Sequence, residues 1–380
     1  MLSQQHKAII TATVPLLEQG GEALTRHFYK SMFRDYPQVS PLFNQANQHE
    51  GTQQRALANA VLMYAKNIEK LEKLGPLVGT IVNKHVALQI QPEHYPIVGA
   101  SLLKAIREVL GEEVATDAVI EAWGAAYGQL ADILIGAEEN LYRQNEQANG
   151  GWRGARAFKV VSKTPESDEI TSFVLAPADG GKVVTHKPGQ YIGIVVNMNG
   201  NEQRRQYSLS AAANGDDYRI SVKREPGGQV SNFLHDQVHV GDSVQLFPPA
   251  GDFVLADSDK PLVLISGGVG ITPTLAMLTQ ALASKRPIHF IHAARNPEVH
   301  AFREHVDALA AEHPQLQRFY CYGNLHPRHL DQWLPETRDV EAYFLGPTPF
   351  MKAIKSYLRE VGVPPSQTHY EFFGPAEALA

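Results

Sequence analysis

The sequence predicts a multidomain chain: an all-α domain, then an antiparallel β-barrel, then an α/β domain with a parallel sheet. Three observations predict it. Apolar residues recur at intervals of three and four as far as residue 147, and strand-like alternation is rare there. After Asn149-Gly150-Gly151, short β-rich runs take over, separated by clusters of Gly, Pro, Asn and Asp. From Pro261 onward, strands alternate with helical stretches. A chain of 380 residues has room for two to three domains of roughly 150 residues, and the expected bounds are 1–147, 152–257 and 260–380.

In the first domain Pro41, Pro76, Pro92 and Pro96 mark helix boundaries, and one helix is expected from Glu22 to Phe33. One apolar stripe runs Leu74, Leu77, Val78, Ile81, His85 and Leu88; another runs Trp123, Tyr127, Leu130 and Leu134, and continues to Glu138 and Leu141. The barrel draws its strands from FKVVSK, TSFVLA, YIGIVV, YSLS, YRISVK and SVQLF. In the third domain the strand PLVLIS leads through a glycine turn to the helix TPTLAMLTQALA; the strand IHFIHAA and a helix from about His300 follow.

Composition narrows the class. Apolar residues are 43% and charged residues 19%, which excludes disordered and fibrous chains. With 34 basic against 40 acidic residues the net charge is −6, so no bulk electrostatic pull toward nucleic acid or anionic lipid exists, and neither is expected as a partner. The single cysteine, Cys321, cannot form an internal disulfide. The longest charge-free stretch, Pro261 to Ser284, is broken by Gly267, Gly268, Gly270 and Pro273, which does not suit a membrane span. The N-terminus has no secretory pattern. A cytoplasmic monomer is the expectation.

Gly267-Gly268-Val269-Gly270-Ile271-Thr272-Pro273 lets the backbone approach an anion, with Thr272 expected to cap the following helix and Pro273 in its first turn. Free N–H groups at that helix start suit a phosphate, although such a turn also serves as a plain tight connection. The run is not a GxGxxG fingerprint. Arg295, after the next strand, is placed to meet a ribose 2′-phosphate, so NADPH is expected to be used beside NADH.

Other motifs stand around this turn in a definite order: Pro188-Gly189-Gln190-Tyr191, Arg205-Gln206-Tyr207-Ser208, Gly227-Gly228-Gln229-Val230-Ser231 opening a short helix, and Glu371-Phe372-Phe373-Gly374-Pro375 at the end. Taken singly, Tyr207 is a strand tyrosine and Arg205 an ion-pair partner. As an ordered set they resemble the ferredoxin–NADP reductase superfamily over about residues 154–380. The resemblance implies that Arg205 and the Gly227–Ser231 turn hold the FAD pyrophosphate. It places Tyr207 against the isoalloxazine, Ser208 near its reactive nitrogen, and Gln206, Tyr191, Phe372, Gly374 and Pro375 among the flavin contacts. Gly267–Pro273 would bind NAD(P)H, and Phe373 would cover the flavin where nicotinamide enters. Leu345 stands where the superfamily often has Cys.

His85 lies in an apolar stripe, where a histidine is either a satisfied core residue or an axial ligand to haem iron. Glu138 on the facing stripe needs a partner if buried, and the free ring N–H of His85 can supply it; Tyr95 can join them. Phe28-Tyr29, Pro41-Leu42-Phe43-Asn44, Gln53 with Leu57, Lys84-His85 and Tyr95 resemble the globin domain of bacterial flavohaemoglobins, which are globins fused to a reductase of this kind. The resemblance implies His85 as proximal ligand, Tyr95 and Glu138 as its partners, and Tyr29, Gln53 and Leu57 lining the distal pocket with Phe43 on the porphyrin. Lys84 and Glu371 match positions that tune electron transfer. It further implies haem b, FAD and NAD(P)H as cofactors, O2 and NO as partners, and nitric oxide dioxygenase activity, with electrons passing from NAD(P)H through FAD to haem. Two NO, two O2 and one NAD(P)H would give two nitrates. The alternatives are an O2/NO sensor or storage globin kept ferrous by its reductase, and an NAD(P)H-dependent haem peroxide reductase. The 312–342 region is short for the family.

Overall fold

A computed structural model of the chain describes residues 2–43 and 52–373. It divides into two compact units, Met1–Gln147 with Asn199–Arg204, and Ala148–Met198 with Arg205–Ala380. Helices α1 (Gln4–Asp35), α2 (Thr52–Lys66), α3 (Gly75–Leu88), α4 (His94–Leu110) and α5 (Asp117–Gln147) make up most of the first unit. The helix expected over Glu22–Phe33 falls within one 32-residue helix. Pro15 and Gly20-Gly21 do not break it, because Ile10, Leu24, Phe28 and Met32 anchor it in the core on both sides. Pro76 sits at the start of α3 and Pro96 in the first turn of α4, where a missing backbone donor costs nothing. Helix α3 ends at Gln89, in the left-handed region at φ 58°, and the Ile90 N–H donates to the His85 carbonyl at 3.0 Å. His85 is thereby fixed on the last turn.

The barrel has six antiparallel strands: β1 (Arg156–Pro165), β2 (Ile170–Pro177), β3 (Tyr191–Met198), β4 (Asn201–Ser208), β5 (Tyr218–Lys223) and β6 (Ser243–Leu246), in the order β4-β3-β6-β1-β2-β5. A bridge between Leu209 and Ile220 joins the two edges. Inward residues such as Phe158, Phe173, Ile194, Ile220 and Leu246 fill the interior. Helix α6 (Gln229–Gln237) follows the Gly227-Gly228 turn.

The α/β part is a five-stranded parallel sheet, β7 (Leu262–Gly267), β8 (Ile288–Ala294), β9 (Leu316–Tyr322), β10 (Glu341–Leu345) and β11 (Thr368–Tyr370), in the order β11-β10-β7-β8-β9. Strands β7 and β8 are buried along their whole length, as in a sheet covered on both faces. The covering helices are α7 (Ile271–Ala281), α8 (Arg303–Glu312), α9 (Pro327–Trp333) and α10 (Thr348–Glu360). The helix expected from about His300 begins at Arg303. Asn296 caps a short turn over Pro297–Val299, and Phe302 at φ 63° reverses the chain before α8. The strand order reverses between β7 and β10, where open parallel sheets bind their ligands. Among the described residues no helix is long and apolar enough to cross a membrane.

Candidate functional site

Three helices converge on one carboxylate. Glu138 of α5 is only 2% exposed, and its Oε1 lies 2.7 Å from His85 Nδ1 and 2.8 Å from the Tyr95 hydroxyl of α4. Tyr95 also lies 3.2 Å from His85 Nδ1. Burial, and then Glu138, push the Tyr95 phenol far above its usual pKa, so it stays protonated and donates. The Oε1 atom of this buried carboxylate thus has two hydrogen-bond partners. With Nδ1 occupied, Nε2 is the nitrogen left to bind a metal. Among the described residues no three His, Cys, Asp or Glu side chains converge. The described residues therefore give a metal on His85 no second side-chain ligand, a donor set that fits the iron of a porphyrin.

Two supports of this cluster escaped sequence reasoning. The Tyr127 hydroxyl donates to the Tyr95 carbonyl at 2.6 Å, and the Tyr142 hydroxyl to the Ile90 carbonyl at 2.7 Å. Gly99 makes room for the first, since a Cβ there would lie 2.6 Å from the Tyr127 ring. The signal was present in the spacing: Tyr127 and Tyr142 share the helix face of Glu138. Of the other histidines in this unit, His27 meets Glu108 at the surface and His94 accepts from the Gln91 N–H. His49 and Asn44 lie outside the described residues.

Tyr29 of α1 is buried, with its ring 5.6 Å from Phe43 and 5.8 Å from Phe33. Its hydroxyl is hydrogen-bonded to Gln53, at the start of α2. Burial outweighs that bond and raises the phenol pKa, keeping the O–H as a donor. Leu57 packs against the same core. Lys84 is half-buried beside His85.

In the second unit Tyr191 is buried on β3, and burial holds its phenol well above the usual pKa, with Glu371 adding to the effect. The turn before it requires glycine: Gly189 has φ 103°, and a Cβ there would lie 2.0 Å from the Phe253 carbonyl oxygen. On β4, Arg205 and Tyr207 lie together. Burial lowers the pKa of the guanidinium, opposed by Tyr207; burial pushes Tyr207 up to about 12, opposed by Arg205. A desolvated cation of this kind fits a pyrophosphate. Ser208 is buried beside them in sequence, and Gln206 is half-buried. In the next turn a Cβ on Gly228 would lie 2.6 Å from Ser231 Oγ, which accepts from the Glu225 N–H at 3.2 Å. The Val230 side chain belongs to the barrel core, so Val230 offers a ligand mainly its backbone, whereas Gln229 is exposed. Phe372 packs edge-on to Tyr370, while Phe373 is 48% exposed; Gly374 and Pro375 lie outside the described residues.

The glycine turn sits at the reversal point of the parallel sheet. Gly270 is pressed against β10, where a Cβ would lie 2.2 Å from the Leu345 carbonyl oxygen, and Gly268 at φ 54° faces open space. Thr272 does not cap α7. The cap position is Gly270, and the Thr272 hydroxyl donates to the Val269 carbonyl at 3.0 Å from within the helix. The helix therefore starts two residues earlier than expected, where Gly270 meets β10. Ile271, Thr272 and Pro273 bury their side chains, Val269 is partly buried, and backbone N–H groups are what the turn presents. Arg295 follows β8 and is ion-paired with Glu169 in the β1–β2 turn, a residue that sequence reasoning had not singled out.

Fold and sites together define a class: a flavin-dependent reductase on one chain with a haem-binding globin. The matching family models are Globin over residues 26–134, Oxidoreductase FAD-binding domain over 157–255 and Oxidoreductase NAD-binding domain over 264–356. A flavohemoprotein of Pseudomonas putida is 65% identical over 391 aligned residues, covering 100% of both chains. A flavohemoglobin of Malassezia yamatoensis, solved with bound FAD and heme, is 30% identical with TM-score 0.87, covering 98% of this chain and 100% of its own. The FAD/NAD-binding domain of a nitric oxide dioxygenase from Vibrio cholerae is 40% identical with TM-score 0.56, covering 59% of this chain and 100% of its own. The chain belongs to the flavohaemoprotein family, as an oxidoreductase whose cofactors are haem, FAD and a nicotinamide dinucleotide.

Proposed function

We propose that the chain is an NAD(P)H-dependent nitric oxide dioxygenase, with a globin domain over 1–147, an FAD domain over 152–257 and an NAD(P) domain over 260–380. The observation that carries this reading is the shared Glu138 oxygen under His85 and Tyr95. The chemistry supplied by the bound cofactors is hydride acceptance and one-electron transfer at the flavin, and oxidation of NO by O2 to nitrate at the haem. Glu138 holds the proton on His85 Nδ1, sets the ring's orientation, and makes Nε2 a stronger electron donor. Such a push favours activation of O2 over storage. Tyr95 fixes the carboxylate, and Tyr29, whose hydroxyl meets Gln53, would donate a hydrogen bond to the O2 substrate. Arg205 neutralises the FAD pyrophosphate, and the backbone of Gly267–Gly270 receives the dinucleotide phosphates.

The test is stoichiometry. Haem- and FAD-loaded protein given NADH, O2 and NO should form one nitrate per NO consumed and oxidise one NADH for every two. Glu138→Gln should keep haem and flavin bound and lower NO turnover by about tenfold or more, the usual range for loss of such a partner of a metal ligand. NADH oxidation without nitrate would defeat the proposal in favour of a sensor, storage or peroxide-reducing role.

A further inference from the structure

Arg295 is not a free arm. It stands at the end of β8, about 25 residues beyond Gly270, where a dinucleotide domain reads the ribose 2′ position. A basic residue there suits a 2′-phosphate, yet this guanidinium is ion-paired with Glu169 of the barrel, 126 residues away in sequence. The pairing is part of a wider clasp. The Asp168 N–H donates to the Glu298 carbonyl at 3.1 Å, so the same barrel turn holds the same loop twice. Further along the loop the Arg219 guanidinium lies 5.2 Å over the ring of Phe302, the residue in the left-handed region. Arg295 keeps 69% of its side chain exposed and Glu169 30%, so a ligand can reach both.

We propose that Glu169 is a specificity-determining residue of the dinucleotide site, selecting the nucleotide without a 2′-phosphate. It acts in two ways. Its carboxylate occupies the guanidinium fork that a 2′-phosphate would take, and it leaves a negative charge beside any phosphate that displaces it. A nucleotide with a free 2′-hydroxyl carries no charge there and meets no penalty. The pair is solvent-accessible, which limits the discrimination to a modest factor. The inference rests on the reading that the turn at Gly267–Gly270 takes the dinucleotide.

Calorimetric titration of the full-length, FAD-loaded protein with 2′,5′-ADP and with 5′-AMP separates the possibilities. Glu169→Gln should tighten 2′,5′-ADP about two- to fivefold, the span an exposed ion pair supports, and leave 5′-AMP unchanged. In an Arg295→Ala background the same substitution should give a clearly smaller gain, because the fork it frees is gone. Glu169→Asp, with the charge kept but its reach shortened, should give a smaller gain of the same sign, and serves if the first variant loses FAD. Unchanged 2′,5′-ADP affinity in Glu169→Gln, an equal gain for 5′-AMP, or a gain undiminished without Arg295 overturns the proposal. Binding of neither nucleotide by the parent protein defeats the underlying site reading, and this inference with it.

Discussion

The phenol of Tyr29 is buried, protonated and hydrogen-bonded to Gln53, so its energetic role comes from one O–H group on an aromatic scaffold. A hydrogen bond to an acceptor carrying negative charge is worth about 1.5–3 kcal/mol, and about 1.4 kcal/mol is tenfold in an equilibrium constant. Tyr29→Phe removes the donor and keeps the ring against Phe33 and Phe43. O2 should leave the reduced, haem-loaded protein about tenfold faster in stopped-flow measurements, while reduction of the flavin by NADH is unaltered. Gln53→Leu should act in the same direction and less. A parent-like O2 dissociation rate in Tyr29→Phe would make the tyrosine a packing residue only.

At the scale of elements, the end of β8 shows how a loop is held. His292 is buried on β8 with Nδ1 2.8 Å from Ser266 Oγ of β7, and its ring lies 4.5 Å from that of His300 in the β8–α8 loop. His300 Nδ1 lies 3.0 Å from the Tyr322 hydroxyl of β9. Burial lowers both pKa values, His292 to about 3 and His300 to about 4, with each helped by a nearby basic group. The Nε2 atom of each ring has no hydrogen-bond partner among the described residues, so nothing there receives an added proton. The unfolded chain binds protons near pH 6.5, and the folded chain does so only near 3 to 4. Stability is therefore complete above about pH 6.5 and falls as the pH drops from there toward 4, by at most about 1.4 kcal/mol per pH unit for each group. Thermal unfolding of the reductase part should move to lower temperature between pH 7 and 5. His300→Asn should make that decline shallower. Superimposable pH profiles for variant and parent would assign the decline to other groups.

Across the whole molecule, the two compact units have separate hydrophobic cores. Two lie in the first unit, one around Phe28, Met32 and Trp123 and a smaller one around Val86, Tyr95 and Leu134; the others belong to the barrel and the parallel sheet. The proposed haem ligand lies in the first unit, while Arg205, Tyr207 and the Gly227–Ser231 turn lie in the second. Removing one prosthetic group should then leave the other in place. His85→Ala is expected to purify without haem, with its full complement of FAD, and to reduce ferricyanide with NADH at the parent rate while consuming no NO. Loss of FAD along with haem would show that the two units do not hold their cofactors independently.

Much of this was legible in the sequence because periodicity converts spacing into faces. The stripes through Ile81 and His85, and through Trp123, Leu134 and Glu138, identified the surfaces that meet, and short runs between turn residues identified the barrel strands. The sequence by itself determined the three-part order, the helical or strand character of its segments, and which histidine and carboxylate share a core. Tertiary structure alone decided that one Glu138 oxygen serves both His85 and Tyr95, that Gly270 rather than Thr272 begins α7, and that Arg295 is held by Glu169. The physical reason is range. Local patterns record what a residue does within a turn or two of helix or one strand. Contacts such as Leu345 on Gly270, or Glu169 on Arg295, join residues far apart in sequence, and exist only once the sheets have closed.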